Sequence, residues 1–194
     1  MIRALIISIC VLLLINPNTA RAETLGEVVS RHNLGRYLPR LPADQPITSY
    51  ATHEDLHEFL LAYYEWHPED PNRLDDALRV VRIDKRAGRV THSVISMNTA
   101  LRPWGLSHLG SVLDVRKIGG RYYLKGHLNP SASPTLVLSE DLILGDVIPG
   151  WIVSSNKGRR IVYQHNEVHF APPVETRYSV YHPRTMIIGA HHEP

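Results

Sequence analysis

One literal catalytic motif stands in this chain, the segment HEDLH from His53 to His57. On a helix, the spacing H-E-x-x-H places both imidazoles on one face, where they bind zinc while Glu54 would act as the general base. Thr52 and Asp55 have the spacing of a helix capping box, which favours such a helix. The motif therefore predicts a zinc-dependent hydrolase as one candidate function.

The residues around this motif depart from the patterns of zinc proteases. Asp55 places a charge inside the motif, Leu60 stands where one class has glycine, and Tyr63 stands where that class has its third histidine. A glutamate ligand would need a second helix downstream, yet the chain after Phe59 has the composition of β-strands almost throughout. The alternative interpretation is a polar helical turn, or a polar lead-in to a strand.

A second candidate site is the segment from His165 to His169. On a strand, residues two apart share a face, so His165, Glu167 and His169 would point the same way. Two imidazoles and a carboxylate can bind zinc or a similar divalent metal. Because same-face neighbours on a strand lie about 7 Å apart, His127 or His182 from a neighbouring strand would have to contribute. The alternative is a row of polar side chains on a sheet surface or around a central channel.

Other catalytic signatures are absent from the sequence. It contains no G-x-S-x-G nucleophile motif, no phosphate-binding loop and no G-x-G-x-x-G dinucleotide fingerprint. We therefore predict no catalytic residues and no cofactor other than a divalent metal such as zinc. A protein that acts by binding is favoured over an enzyme.

Residues 1–22 have the pattern of a signal peptide. Arg3 supplies the positive charge of the N-terminal region of a signal peptide, and residues 4–15 are apolar. Ala20 and Ala22 form a cleavage site with small residues at two positions separated by one. The apolar run is shorter than the ~20 residues of a membrane span, and no other stretch approaches that length. We expect cleavage near Ala22 and a secreted protein, in the periplasm or outside the cell.

The composition of the mature chain excludes several classes of protein. The single cysteine, Cys10, lies in the signal peptide, so the mature chain cannot be a disulfide scaffold or a thiol enzyme. Cleavage of the signal peptide would remove two basic residues, Arg3 and Arg21, and no acidic residue. The mature chain would then have about equal numbers of basic and acidic residues. No clustered positive patch stands out along the sequence, and we predict no nucleic-acid partner.

The mature chain divides into an N-terminal extension and one β-repeat domain. In the extension, residues 23–46, a short helix is predicted over residues 24–36, followed by an extended run imposed by Pro39, Pro42 and Pro46. The domain, residues 47–194, contains three units with similar strand patterns, at about residues 47–96, 110–149 and 150–189.

An insertion at residues 98–109 separates the first two units. It carries Pro103, Trp104 and Gly105. The tryptophan would either stack against a ligand or cover the hydrophobic core.

The last strands of the units define the repeat. Each closing strand ends in a polar, turn-forming cluster, and Gly119-Gly120 in unit two predicts a tight hairpin between strands at 112–118 and 121–127. Leu138 and Val180 lie 42 residues apart, and Val81 and Leu138 lie 57 apart. A period near forty with several short strands is typical of repeated four-stranded sheets.

These units resemble β-propeller blades, over about residues 59–189. The corner VRIDKRAG, which ends at Gly88, is similar to one common in secreted bacterial propellers, whereas the WD dipeptide and the glycine pair of the kelch class are absent. The resemblance implies an all-β fold of four-stranded antiparallel sheets with a short N-terminal helix. Closed propellers have four or more blades, so three units predict an incomplete or open ring, or pairing of chains.

The resemblance also implies a function that depends on binding. We predict a secreted or periplasmic binding or interaction protein, for a protein or small-molecule ligand. Two alternatives are kept: the zinc-dependent hydrolase, and a structural or assembly component of the cell envelope that self-associates through exposed strand edges.

Overall fold

The computed structural model describes residues 22–67, 76–102, 109–127, 133–156, 160–165 and 178–181. β-Strands dominate, and they form three antiparallel sheets with few helices. The predicted all-β class is confirmed. The sheets do not close into a ring within the described part of the chain, so a propeller is not established.

Sheet A is a meander of five strands in sequence order. Its strands are β1 (Glu23–Thr24), β2 (Pro46–Glu54), β3 (Glu58–Glu65), β4 (Ala77–Asp84) and β5 (Arg89–Ser96). The turn between β4 and β5 uses Gly88 at φ 66°, a left-handed conformation that glycine adopts without strain.

Sheets B and C repeat this meander topology on a smaller scale. Sheet B contains β6 (Ser111–Ile118), β7 (Arg121–His127), β8 (Thr135–Leu138) and β9 (Leu144–Ile148). Sheet C contains β10 (Gly150–Asn156), β11 (Arg160–His165) and β12 (Tyr178–Tyr181). The hairpin predicted at Gly119-Gly120 is confirmed, since Ile118 pairs with Arg121 across it.

The N-terminal extension differs from its prediction. Helix α1 is shorter (Leu25–Arg31), and it begins with a capping box between Thr24 and Glu27 that the sequence analysis missed. A 3₁₀ helix (Gly35–Arg40) then replaces the predicted extended run, with Pro39 inside it. Proline is tolerated there because its fixed φ suits the tight helix and its missing N–H costs little in so short an element.

Both faces of sheet A are buried, which explains the unbroken apolar run of β3. Along that strand Phe59, Leu61 and Tyr63 pack beneath α1, while Leu60, Ala62 and Tyr64 enter the core shared with sheet B. Because successive side chains on a strand point to opposite faces, a strand between two cores needs apolar residues at every position. The β-strand composition of the chain after Phe59 is thus explained for β3.

The predicted insertion contains the second helix, α2 (Met97–Leu101), which places Met97, Ala100 and Leu101 in the core between sheets A and B. Pro103, Trp104 and Gly105 lie outside the described residues. Neither α1 nor α2 is long and apolar enough to cross a membrane, and the described residues contain no longer candidate.

Gly126→Ala should destabilise the fold by about 2 kcal/mol. A Cβ at Gly126 on β7 would lie 2.6 Å from Cδ1 of the buried Leu109, so the core must shift to admit it. Gly35→Ala is the control, because no atom lies within 4 Å of the added Cβ. Urea unfolding measures both variants, and equal stabilities would contradict the close contact.

Candidate functional site

The HEDLH motif lies on the hairpin between β2 and β3 and not on a helix. His53 and Glu54 end β2, and residues 55–57 form the turn. Asp55 Oδ1 accepts hydrogen bonds from the backbone N–H groups of His57 (2.7 Å) and Glu58 (2.9 Å), which closes a turn of the chain instead of capping a helix. The predicted helix at this motif is wrong, and the zinc-protease arrangement that depends on it is not formed.

A different set of residues comes together at this hairpin. One ligand atom from each of His53, Asp55 and Glu58 lies within 4.8 Å of the others, and His57 is not part of the group. His53 Nε2 is buried without a hydrogen-bond partner and lies 3.9 Å from Asp55 Oδ2. The donor types, an imidazole and two carboxylates, are those of a divalent-metal site.

Both carboxylate oxygens of Glu58 already lie close to cations, and these weaken the case for a metal. Its side chain is 3% exposed. Lys117 Nζ lies 3.0 Å from one carboxylate oxygen, and Arg82 Nε donates to the other at 3.1 Å. A metal ion at Glu58 would lie close to both cations, and even two unit charges 4 Å apart repel by about 4 kcal/mol near a protein surface. The charges present therefore do not fit a metal ion at this carboxylate.

The network around Glu58 connects sheets A and B. Glu58 and Arg82 lie on β3 and β4, whereas Lys117 and Tyr122 lie on β6 and β7. The Tyr122 hydroxyl donates to Glu58 Oε2 at 2.7 Å. Burial raises the pKa of Tyr122, and its hydrogen bond to the charged Glu58 raises that pKa further, so the phenol stays a donor. The sequence analysis missed this network because its members are 24 to 64 residues apart.

The pKa of Asp55 shows how the turn is stabilised. Partial burial would raise this pKa, but the backbone N–H groups of His57 and Glu58 outweigh that effect and hold it below its usual value. The ionised carboxylate is thus the form that fits the turn.

The second sequence-predicted site cannot be assembled from the described residues. His165 is the last residue of β11, where it pairs with Gly150 at the start of β10. Glu167, His169 and His182 lie outside the described residues. His127, which was considered as a helper ligand, ends β7 in sheet B, opposite Ser111. The predicted metal site at His165, Glu167 and His169 stays a prediction.

An open groove of about 750 Å³ lies where the three sheets meet. We call it the junction groove. The first long strand of each sheet contributes to it: β2, β6 and β10. Its lining residues are His53, Val115, Arg116, Lys117, Ile118, Ile152, Val153, Ser154 and Ser155.

The junction groove combines an apolar floor with polar walls. Val115 and Ile152 are buried, whereas Ser154 and Ser155 are exposed. β6 and β10 each end the strand order of their sheet, so along the described chain each has one edge without a paired strand. The sequence did not predict this groove, because its lining residues come from three strands that are distant along the chain.

No protein-family model matches this chain, and no similar protein was found among curated sequences or solved structures. The functional argument therefore rests on the geometry of the site.

Glu58→Gln should lower the free energy of unfolding by about 3 kcal/mol, because it leaves Arg82 and Lys117 near each other without their shared carboxylate. Glu140→Gln is the matched control. Glu140 is 57% exposed and lies 3.7 Å from Lys117, so its loss should cost less than about 0.5 kcal/mol. Chemical denaturation measures both, and a small effect at Glu58 would show that the network does not hold the sheets together.

Proposed function

We propose that the protein is a secreted binding protein and that the junction groove is its ligand site. The observation that carries this proposal is the convergence of β2, β6 and β10 on one groove. The three sheets are consecutive meanders, and the first long strand of each borders the junction groove. This supports a propeller-like arrangement, because the first strand of each propeller blade borders a central channel. Cleavage near Ala22 would deliver this protein to the periplasm or the exterior.

The chemistry of the junction groove favours an extended peptide with acidic side chains. The unpaired edge of β10 supplies backbone donors and acceptors, as in recognition by strand addition. Val115 and Ile152 offer apolar contact. Arg116 and Lys117 place positive charge on the same wall, although Asp114 and Glu58 partly offset it.

The imidazole of His53 is a further polar contact for such a ligand. Its Nε2 atom is buried in the free protein without a hydrogen-bond partner, which is an unfavourable state for a polar atom. A ligand group that pairs with this nitrogen would gain the interaction that the protein itself does not supply.

A fluorescently labelled peptide of alternating valine and glutamate should bind the mature protein, and its valine–lysine counterpart should not. Ser154→Trp, which fills the groove beside the β10 edge, should weaken that binding at least about tenfold. Ser30→Trp, at an exposed position of α1, should leave it unchanged. Fluorescence anisotropy measures both peptides against the wild type and both variants. Equal binding of both peptides, or no effect of Ser154→Trp, would count against the groove.

The zinc-dependent hydrolase is the second candidate, although Arg82 and Lys117 disfavour a metal at the group of His53, Asp55 and Glu58. Since Lys117 and Arg82 already pair with Glu58, we expect the mature protein to retain no stoichiometric zinc after incubation with excess zinc and desalting. Elemental analysis measures the retained metal. Zinc that is lost in His53→Ala would support the hydrolase, whereas zinc that is lost in His165→Ala would support the site predicted at His165, Glu167 and His169.

The third candidate, an envelope assembly component, predicts self-association through strand edges. β5 and β9 end the strand orders of sheets A and B on the sides away from the junction groove. Light scattering of the mature protein tests this, since a stable oligomer is expected only if these edges pair between chains.

A further inference from the structure

Four basic side chains line a second open groove, of about 640 Å³, on another part of the molecule. Arg36 and Arg40 come from the 3₁₀ helix, and Lys85 and Arg86 come from the turn between β4 and β5. Tyr37, Ala87 and Gly88 complete the lining. We call it the arginine groove. The sequence showed no positive patch because the two segments that form it are separated by 48 residues along the chain.

Two arginines of the arginine groove are held by neutral groups. Arg36 donates to the Tyr37 hydroxyl at 2.9 Å, and Arg40 donates to the backbone carbonyl of Gly88. Tyr37 is itself buried, and its hydroxyl donates to the carbonyl of Lys85 at 3.4 Å. These contacts orient two guanidinium groups without neutralising their charge.

The turn that carries Arg86 is also held firmly. Asp84 Oδ1 accepts hydrogen bonds from the backbone N–H groups of Arg86 (3.0 Å) and Ala87 (2.7 Å). These bonds hold the pKa of Asp84 below its usual value, so its carboxylate stays ionised and engaged with the backbone. The Arg86 side chain is left exposed at the rim of the groove.

The charge in the arginine groove is only partly balanced. Glu54 pairs with Lys85 at 2.6 Å and also contacts His32, and Asp84 lies at the turn. Among the described residues, no carboxylate lies within 4.0 Å of the guanidinium groups of Arg36, Arg40 or Arg86. Three guanidinium groups therefore share one groove without an acidic partner, in a chain whose mature net charge is close to zero.

We propose that the arginine groove binds a phosphate group, carried either by a small molecule or by a lipid headgroup. Guanidinium groups present planar pairs of N–H donors that match phosphate oxygens, and a phosphate dianion can pair with more than one of them. The site shares no residue with the junction groove, so it does not depend on the function proposed there.

Calorimetric titration of the mature protein with inorganic pyrophosphate at low ionic strength tests the site. We expect saturable binding that weakens as salt is added, because the contacts are charged and exposed. Arg86→Ala should weaken it by about tenfold, and the double variant Arg36→Ala/Arg86→Ala should weaken it further. Within the described part of the chain, no side-chain contact of Arg86 supports the fold, so Arg86→Ala should melt like the wild type, whereas the double variant also loses the Arg36 contact with Tyr37 and should melt slightly lower.

Arg102→Ala is the matched control, since it removes the same charge from an exposed position outside both grooves. It should leave pyrophosphate binding unchanged. Equal losses in Arg86→Ala and Arg102→Ala would show that only net charge matters and would overturn the proposal. An absence of saturable binding to both pyrophosphate and lipid vesicles would overturn it as well.

Vesicle sedimentation then identifies the source of the phosphate. Binding to phosphatidylglycerol vesicles, but not to phosphatidylcholine vesicles, that is lost in Arg86→Ala supports a lipid headgroup. Binding of pyrophosphate alone supports a soluble phosphate compound. If duplex DNA binds in an Arg86-dependent manner while neither of the other probes does, the groove belongs to a nucleic-acid surface and the proposal fails.

Discussion

The buried carboxylate of Glu58 is the interaction on which the relation between sheets A and B depends. It starts β3, and it is contacted by a cation on its own sheet, Arg82, and by Lys117 on the facing sheet. Removing charges from water costs several kcal/mol for each ion, so such a network is a weak source of net stability. Its value lies in specificity, because the contacts of Glu58 with Lys117 and Tyr122 form only when the two sheets meet in this register.

One short hairpin supplies residues to two different surfaces. At the end of β2, successive side chains point to opposite faces, so His53 faces the junction groove while Glu54 faces Lys85 beside the arginine groove. The turn between β4 and β5 lies at the same end of sheet A, since Glu58 pairs with Asp84. The same strand alternation thus separates the junction groove from the arginine groove.

The elements that could be predicted from sequence are those set by local chemistry. The hairpin at Gly119-Gly120 is an example, because glycine allows the positive φ angles of 57° and 76° that this turn requires. The helix at the HEDLH motif was mispredicted because Asp55 can cap either a helix or a turn, and nothing local decides between them. The 3₁₀ helix was missed for a similar reason, since Pro39 suits both an extended run and a tight helical turn.

The sequence by itself determined the all-β class and the positions of the central strands, because apolar runs and turn residues act over a few neighbouring positions. It did not determine either groove or the Glu58 network. Those features join residues that lie far apart in the sequence, such as Glu58 and Tyr122 or His53 and Ser155, and only the packing of the sheets brings them together. Hydrogen bonds and close ion pairs act over a few ångströms in space, whatever the separation of the residues along the chain. The tertiary structure therefore decided which charged groups came into contact.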